Sequence, residues 1–262
     1  MEILKICNQK LKYFNYSDNT IKAYIYYIES FLNKSDKPYQ HLVAKDFQNY
    51  LDNFNFSSVS QQNQIINSIK FLYEKVLNKK YTKVKFTRPR KEKRLPQPID
   101  EKFLREKIDQ IKNIKHHTII SLTYSVGLRR SETINLKIRD IDSNRMQIRI
   151  IQGKGKKDRF VPLTENILNK LREYYKIYKP KEYLFNGQNS LQYSGTSLNN
   201  IVKKYIGKDY HFHQLRHSTL THLTDKGIDL RVIQKLAGHS SSKTTEIYTK
   251  VSNKNLGELP LF

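Results

Sequence analysis

Two periodicities divide the chain. Behind Ser17, Asp18 and Asn19, which cap helix N-termini well, Ile21, Ile25, Ile28 and Leu32 recur at helical spacing. A second amphipathic stretch runs from about Val43 to Phe54, and Ile65, Ile66, Ile69, Leu72, Tyr73 and Val76 mark a third. Residues 1–84 therefore predict a small all-helical unit. Pro89, Pro96 and Pro98 then oppose a continuous helix, so 85–98 predicts a linker. Helical patterns resume at 100–111, 117–126, 165–178 and 198–206, with a polar loop at 186–196. At Arg145 the period changes: Met146, Ile148 and Ile150 alternate with polar residues, Gly153 to Asp158 turn the chain, and Arg159 to Pro162 run back as a β-hairpin. The expected fold is mainly α with a small antiparallel β-sheet, in a second domain spanning 99–262.

Composition narrows the partner. With 262 residues and a net charge of +24, the chain suits two modest cores and a polyanion. Nucleic acid leads; a ribosome-like or membrane-surface target is the bland alternative. Lys83, Lys85, Arg88, Arg90, Lys91, Lys93 and Arg94 crowd the linker against Glu92 alone. Such a run is either a solvated connector or a phosphate-tracking strap, and the total charge favours the strap. Cys7 is the single cysteine, so an internal disulfide and a Cys-built zinc site are excluded. No apolar run has the length of a membrane span, and no apolar signal core opens the chain, so a cytoplasmic location is expected.

Candidate chemistry gathers near the C-terminus. His213 and Arg216 share one face of a helix predicted to end at Gly227, and a second helix, 229–237, ends just before Gly238-His239. Tyr248 follows on a third, short helix. Arg grips phosphate oxygens, His exchanges protons near neutrality, and a Tyr hydroxyl can attack phosphorus, which together make the inventory of a metal-free DNA-cleaving site. His213 and His217 are spaced i, i+4 as in a zinc helix, but Gln214 stands where that motif needs Glu, and Arg216 would sit beside the ion. No metal or cofactor is expected. His217, His211 and His222 read as core or supporting residues, and His116 and His117 as helix-start residues. The glycine-rich turn at 153–158 lacks Walker spacing and is not a nucleotide cradle.

These blocks, His213-Gln-Leu-Arg216-His-Ser, Thr221-His-Leu, Asp229 through His239-Ser-Ser and Thr244-Thr-Glu-Ile-Tyr248-Thr, together resemble the C-terminal signature of the tyrosine site-specific recombinases (phage integrase family), of the Xer type. Ala237 departs from the leucine common there, a matter of packing. Gly127-Leu-Arg129-Arg-Ser-Glu132 resembles the family's first arginine motif, although alone it reads as a helix C-cap and an N-cap Ser131 with both charges solvated. Ser17 to Tyr24 resembles the first helix of the family's SAM-like core-binding domain.

The resemblance implies that Arg129 and Arg216 bind the scissile phosphate with His239, that Glu132 buttresses Arg129, and that Tyr248 is the nucleophile. His213 would help deprotonate Tyr248 or donate to the phosphate. Lys154 matches the hairpin lysine that protonates the leaving oxygen, with Lys156 and Lys157 as close rivals that would otherwise contact DNA; by themselves all three read as a solvated hairpin tip. It implies double-stranded DNA with a specific core site as substrate, a 3′-phosphotyrosyl intermediate, and strand exchange through a Holliday junction in a tetramer. The apolar tail, Leu256 to Phe262, would join protomers, where composition alone would equally let it pack on its own core. The rival expectations are a type IB topoisomerase-like nicking-closing enzyme and a non-catalytic DNA-binding protein.

Overall fold

A computed structural model describes residues 2–79, 88, 97–151, 158–239 and 241–249. The chain forms two compact units, Met1–Lys93 and Arg94–Phe262.

In the first unit, α1 (Glu2–Tyr13), α2 (Asp18–Asn33), α3 (Ala44–Asp52) and α4 (Val59–Phe71) surround one core, and α4 runs on as a π-helical turn, Leu72–Val76. Ser17 caps α2 by accepting from the Thr20 amide at 3.3 Å, and Ser58 caps α4 by accepting from the Gln61 amide at 3.1 Å. The core is aromatic: Phe47 lies 4.8 Å, centroid to centroid, from both Phe31 and Tyr73. Helix α1 was not foreseen, because only Ile3, Cys7 and Leu11 face inward among polar neighbours. Burial pushes the Cys7 thiol up to about 11 and makes it a small hydrophobe rather than a nucleophile. Arg88 is the one basic linker residue described. Its guanidinium donates to the Asn63 and Asn67 side-chain oxygens of α4, at 2.9 and 2.7 Å.

The second unit opens with α5 (Glu101–Asp109) and α6 (Ile114–Val126), followed by α7 (Arg130–Asn135). Strands β1 (Ile141–Asp142), β2 (Gln147–Ile150) and β3 (Arg159–Pro162) form an antiparallel sheet in that order, with Ile148 opposite both Ile141 and Val161. The expected hairpin is β2 and β3. Strand β1 is an addition, too short to display alternation. Then come α8 (Glu165–Tyr178), α9 (Gly195–Tyr205), α10 (Phe212–Asp225), α11 (Leu230–Ala237) and the single turn α12 (Glu246–Thr249). Helix α6 is buried on nearly every side, and α10 packs on it. A smaller apolar cluster of Leu220, Ile233, Ala237 and Tyr248 joins α10, α11 and α12.

Ser218 fastens α10 to the start of this unit. Its hydroxyl accepts from the Ile99 amide at 2.9 Å and donates to the Gln214 carbonyl at 2.8 Å, all in a buried setting. Ser218→Ala strands the Ile99 N–H. The expected loss is about 1–3 kcal/mol of stability in urea denaturation, with secondary structure at low denaturant unchanged.

Candidate active site

Helix α6 ends at Gly127, whose φ of +63° is the left-handed conformation that glycine tolerates best. The chain turns through Leu128, and Arg129, not Ser131, occupies the N-cap of α7. The Glu132 carboxylate reaches back to accept from the Arg129 amide at 2.8 Å and from its guanidinium at 2.7 Å. The pair is not solvated: the Glu132 side chain is 3% exposed and that of Arg129 14%. Arg159, from β3, donates both Nη groups to the same carboxylate at 2.7 and 2.9 Å. Burial alone would raise the Glu132 pKa. The hydrogen bonds and charge of Arg159, then those of Arg129, outweigh it and bring the carboxyl down to about 2.

Backbone carbonyls at two helix ends hold the arginines as well. Arg216 donates to the Gly127 carbonyl at 2.6 Å and to the Ala237 carbonyl at 2.7 Å. The Arg129 guanidinium reaches the Gly238 carbonyl at 2.9 Å, and Arg159 Nε the Leu236 carbonyl at 2.8 Å. Gly238 has φ +59°, and a Cβ there would stand 2.9 Å from Arg159 Cδ, so this corner excludes a side chain twice over. Arg216 is buried, and burial with repulsion from Arg129 lowers it to about 10. It remains a cation at neutral pH.

Tyr248 lies beside this cluster with its ring buried against Leu220, Ile233 and Ala237. Its hydroxyl is 2.9 Å from His217 Nδ1. Burial raises the phenol, and the nearby charges of Arg216 and Arg129 pull the other way. The His239 ring lies nearly parallel to Tyr248, with centroids 6.4 Å apart and an interplanar angle of 6°. Its Nε2 is 3.0 Å from Arg216 Nη2 and its Nδ1 2.8 Å from the Thr245 hydroxyl. His213 is exposed on α10, and its ring meets His217 edge-on at 4.5 Å.

The structure thus gathers Arg129, Glu132, Arg216, His239 and Tyr248 around one spot, with His213 at its rim. Lys154, Lys156 and Lys157 lie outside the described residues, as do Lys83, Lys85, Arg90, Lys91, Lys93, Arg94 and the tail at 256–262. Sequence reasoning missed Arg159, which passed as an ordinary strand residue. It also set His217 aside as a supporting histidine, although the i, i+4 relation to His213 placed it on the same face. His211 is not core: it is exposed ahead of α10. His222 is buried, with Nδ1 2.8 Å from the Tyr124 hydroxyl. His116 is more than a helix-start residue, since its two ring nitrogens meet Tyr205 at 3.1 Å and Tyr193 at 3.2 Å. Among the described residues no group of three or more His, Cys, Asp or Glu is placed to hold a metal, and no helix is long and apolar enough to cross a membrane.

Residues 93–255 match the Phage integrase family, and residues 3–83 match the phage integrase N-terminal SAM-like domain. The chain belongs to the phage integrase family of tyrosine recombinases. It is 34% identical over 254 residues to tyrosine recombinase XerA of Pyrococcus horikoshii, covering 92% of this chain and 86% of that one. Tyrosine recombinase XerC of Staphylococcus epidermidis is 32% identical over 272 residues, covering 94% and 91%. Among solved structures, a crystalline XerA recombinase covers 100% of this chain and 99% of its own, with TM-score 0.58 and 26% identity. A lambda integrase tetramer bound to a Holliday junction shares the fold at TM-score 0.71 and 16% identity, covering 100% of this chain and 79% of its own. This recombinase is an enzyme that breaks and rejoins DNA.

The Glu132 shift fixes a pH dependence. Because the folded carboxyl sits at about 2 against 4.5 unperturbed, its contribution is present above about 4.5 and is lost as pH falls through about 2. Wild-type stability should drop by on the order of 3 kcal/mol across that window through this group. Glu132→Gln should lose about 3–5 kcal/mol at pH 7 and show a shallower acid decline, both readable from chemical denaturation at a series of pH values.

Proposed function

We propose that this enzyme is a site-specific recombinase in which Tyr248 attacks a scissile phosphate and the chain remains joined to DNA through a 3′-phosphotyrosyl link. The observation that carries this reading is the single-chain cluster itself: the Tyr248 hydroxyl bonds to His217, next to Arg216 on α10, and the Tyr248 ring lies parallel to His239, whose Nε2 meets the Arg216 guanidinium. An unperturbed Tyr has a pKa of about 10, so at neutral pH the charge developing during attack has to be met by fixed donors. Arg129 and Arg216, held rigidly by carbonyls and Glu132, are such donors for the phosphate oxygens. His239 lies alongside the Tyr248 ring, and His213 stands beyond it, against His217. Lys154 would protonate the departing 5′ oxygen, a step worth roughly 10²–10⁴ in rate. The phosphotyrosyl bond conserves the energy of the broken one, so a 5′ hydroxyl of another duplex can reverse the reaction without ATP.

The partner is double-stranded DNA with a specific core site, in the cytoplasm. The Xer relatives support recombination over simple nicking and closing. A homologue seen as a tetramer on a Holliday junction supports assembly of four protomers. The basic linker would follow phosphates, and the tail at 256–262 would bridge protomers.

A nicked suicide substrate tests the nucleophile. Wild-type protein should form a covalent protein–DNA adduct visible after denaturation, Tyr248→Phe none, and Arg216→Ala about 10²–10³ less per unit time. Site-independent relaxation of plasmids by the wild type would point to the topoisomerase instead. For the tail, deleting 256–262 should weaken synapsis in gel-shift experiments far more than binding to a single site, and equal losses would remove its bridging role.

A further inference from the structure

The phosphate-binding groups leave one contact unused. His217 is not among the residues that would touch phosphate, yet its Nδ1 is the hydrogen-bond partner of the Tyr248 hydroxyl. We propose that His217 is a positioning residue whose unprotonated Nδ1 accepts from the Tyr248 hydroxyl and fixes the phenolic oxygen, before DNA arrives, with its lone pairs turned toward the arginine cluster. The inference deepens the assignment of Tyr248 as nucleophile and rests on it.

Rigidity is unequally shared between the two partners. Tyr248 rides on α12, a helix of 4 residues, and so short a helix has little stability of its own. His217 instead follows Arg216 on the long helix α10, and Arg216 is pinned to carbonyls on two other elements. The His213 ring, edge-on at 4.5 Å, limits how far the His217 ring can turn. A buried hydroxyl needs a partner, and His217 Nδ1 is the one that Tyr248 has among the described residues. The bond therefore transfers the order of α10 to a reactive atom carried on a single helical turn.

The charges around the imidazole keep it an acceptor. Burial, then His213, Arg216 and His211, lower His217 to about 4, and its Nδ1 faces the Tyr248 hydroxyl. At neutral pH the ring is uncharged. Taking the proton outright is far harder than accepting a hydrogen bond. With the imidazole lowered and the phenol raised, full transfer runs uphill on both sides. That gap favours positioning over proton abstraction.

Three variants of the full chain separate the possibilities: His217→Leu, His217→Asn and Tyr248→Phe. The Asn side-chain oxygen stands where Nδ1 was, and it can accept a hydrogen bond but cannot take up a proton. Single-turnover adduct formation on the suicide substrate is followed between about pH 6 and 8.5, alongside equilibrium binding to uncleaved site DNA. Leu should slow adduct formation about 10²-fold with binding unchanged. Asn should restore it to within roughly threefold of wild type, with a parallel pH profile. If Asn is as slow as Leu, or Leu is as fast as wild type, the positioning role is overturned. An adduct with Tyr248→Phe would instead remove the nucleophile assignment beneath it. Nitrogen NMR of labelled wild-type protein tests the same bond without any risk of misfolding. His217 Nδ1 should be unprotonated and should shift in Tyr248→Phe, and a proton found on Nδ1 would overturn the inference.

Discussion

The site depends on where α6 and α11 stop. The last carbonyls of a helix have no partner within it and lie at the negative end of the helix dipole. Here the carbonyls of Gly127, Leu236, Ala237 and Gly238 turn toward Arg216, Arg159 and Arg129. Each helix end is satisfied by a guanidinium, and each guanidinium is placed by a helix end. The two glycines matter because the left-handed turn at each cap aims these carbonyls inward. Without them the arginines would be buried cations facing one another.

Even so, the charges do not balance. Arg129, Arg159 and Arg216 share a single buried carboxylate, Glu132, and dipoles supply the rest. A buried ion pair of this kind adds little net stability, since desolvation cancels most of the attraction, but removing one member is costly. Its value is geometric. The excess of positive charge held near a phenol suits an anionic ligand that arrives from solution, and on the proposed mechanism that ligand is a phosphodiester.

Much of this could be read from the chain. The cap at Ser17 and the glycines at 127 and 238 marked helix limits to within a few residues, and the alternation from Met146 marked the hairpin. Local chemistry decides these features, so local sequence reveals them. What stayed hidden was set at a distance. Helix α1 shows only a sparse apolar stripe and is held by burial against α2. Arg159 looks like any polar strand residue until β3 lies across the Glu132 carboxylate. His217 could be placed on the right face of α10 but not beside Tyr248, because that contact needs α12 folded back across α10. His211 misled for the opposite reason: grouped with His217 and His222 as core or supporting, it precedes the helix and is exposed.

An occupied cluster can still receive a ligand. A guanidinium has five N–H groups. Arg159 directs three of its own to Glu132 and Leu236, which makes it a structural cation. Among the described residues Arg129 commits two side-chain donors, to Glu132 and Gly238, and keeps the larger share. Arg216 gives one to Gly127, one to Ala237 and one to His239 Nε2. The last is the weakest commitment, because His239 hangs from a turn, with its other nitrogen held by Thr245. Since arginine can only donate, Nε2 of His239 must accept at rest, and it cannot at the same time donate to a phosphate. An entering phosphate oxygen would therefore take the place of Nε2 at Arg216, and His239 would have to carry its ring proton on Nε2, with Nδ1 accepting from the Thr245 hydroxyl, before it could bond to that same oxygen. A hydroxyl both donates and accepts, so Thr245 can hold Nδ1 in either tautomer, and on the proposed mechanism the His239 ring can turn from acceptor to donor without a change of charge.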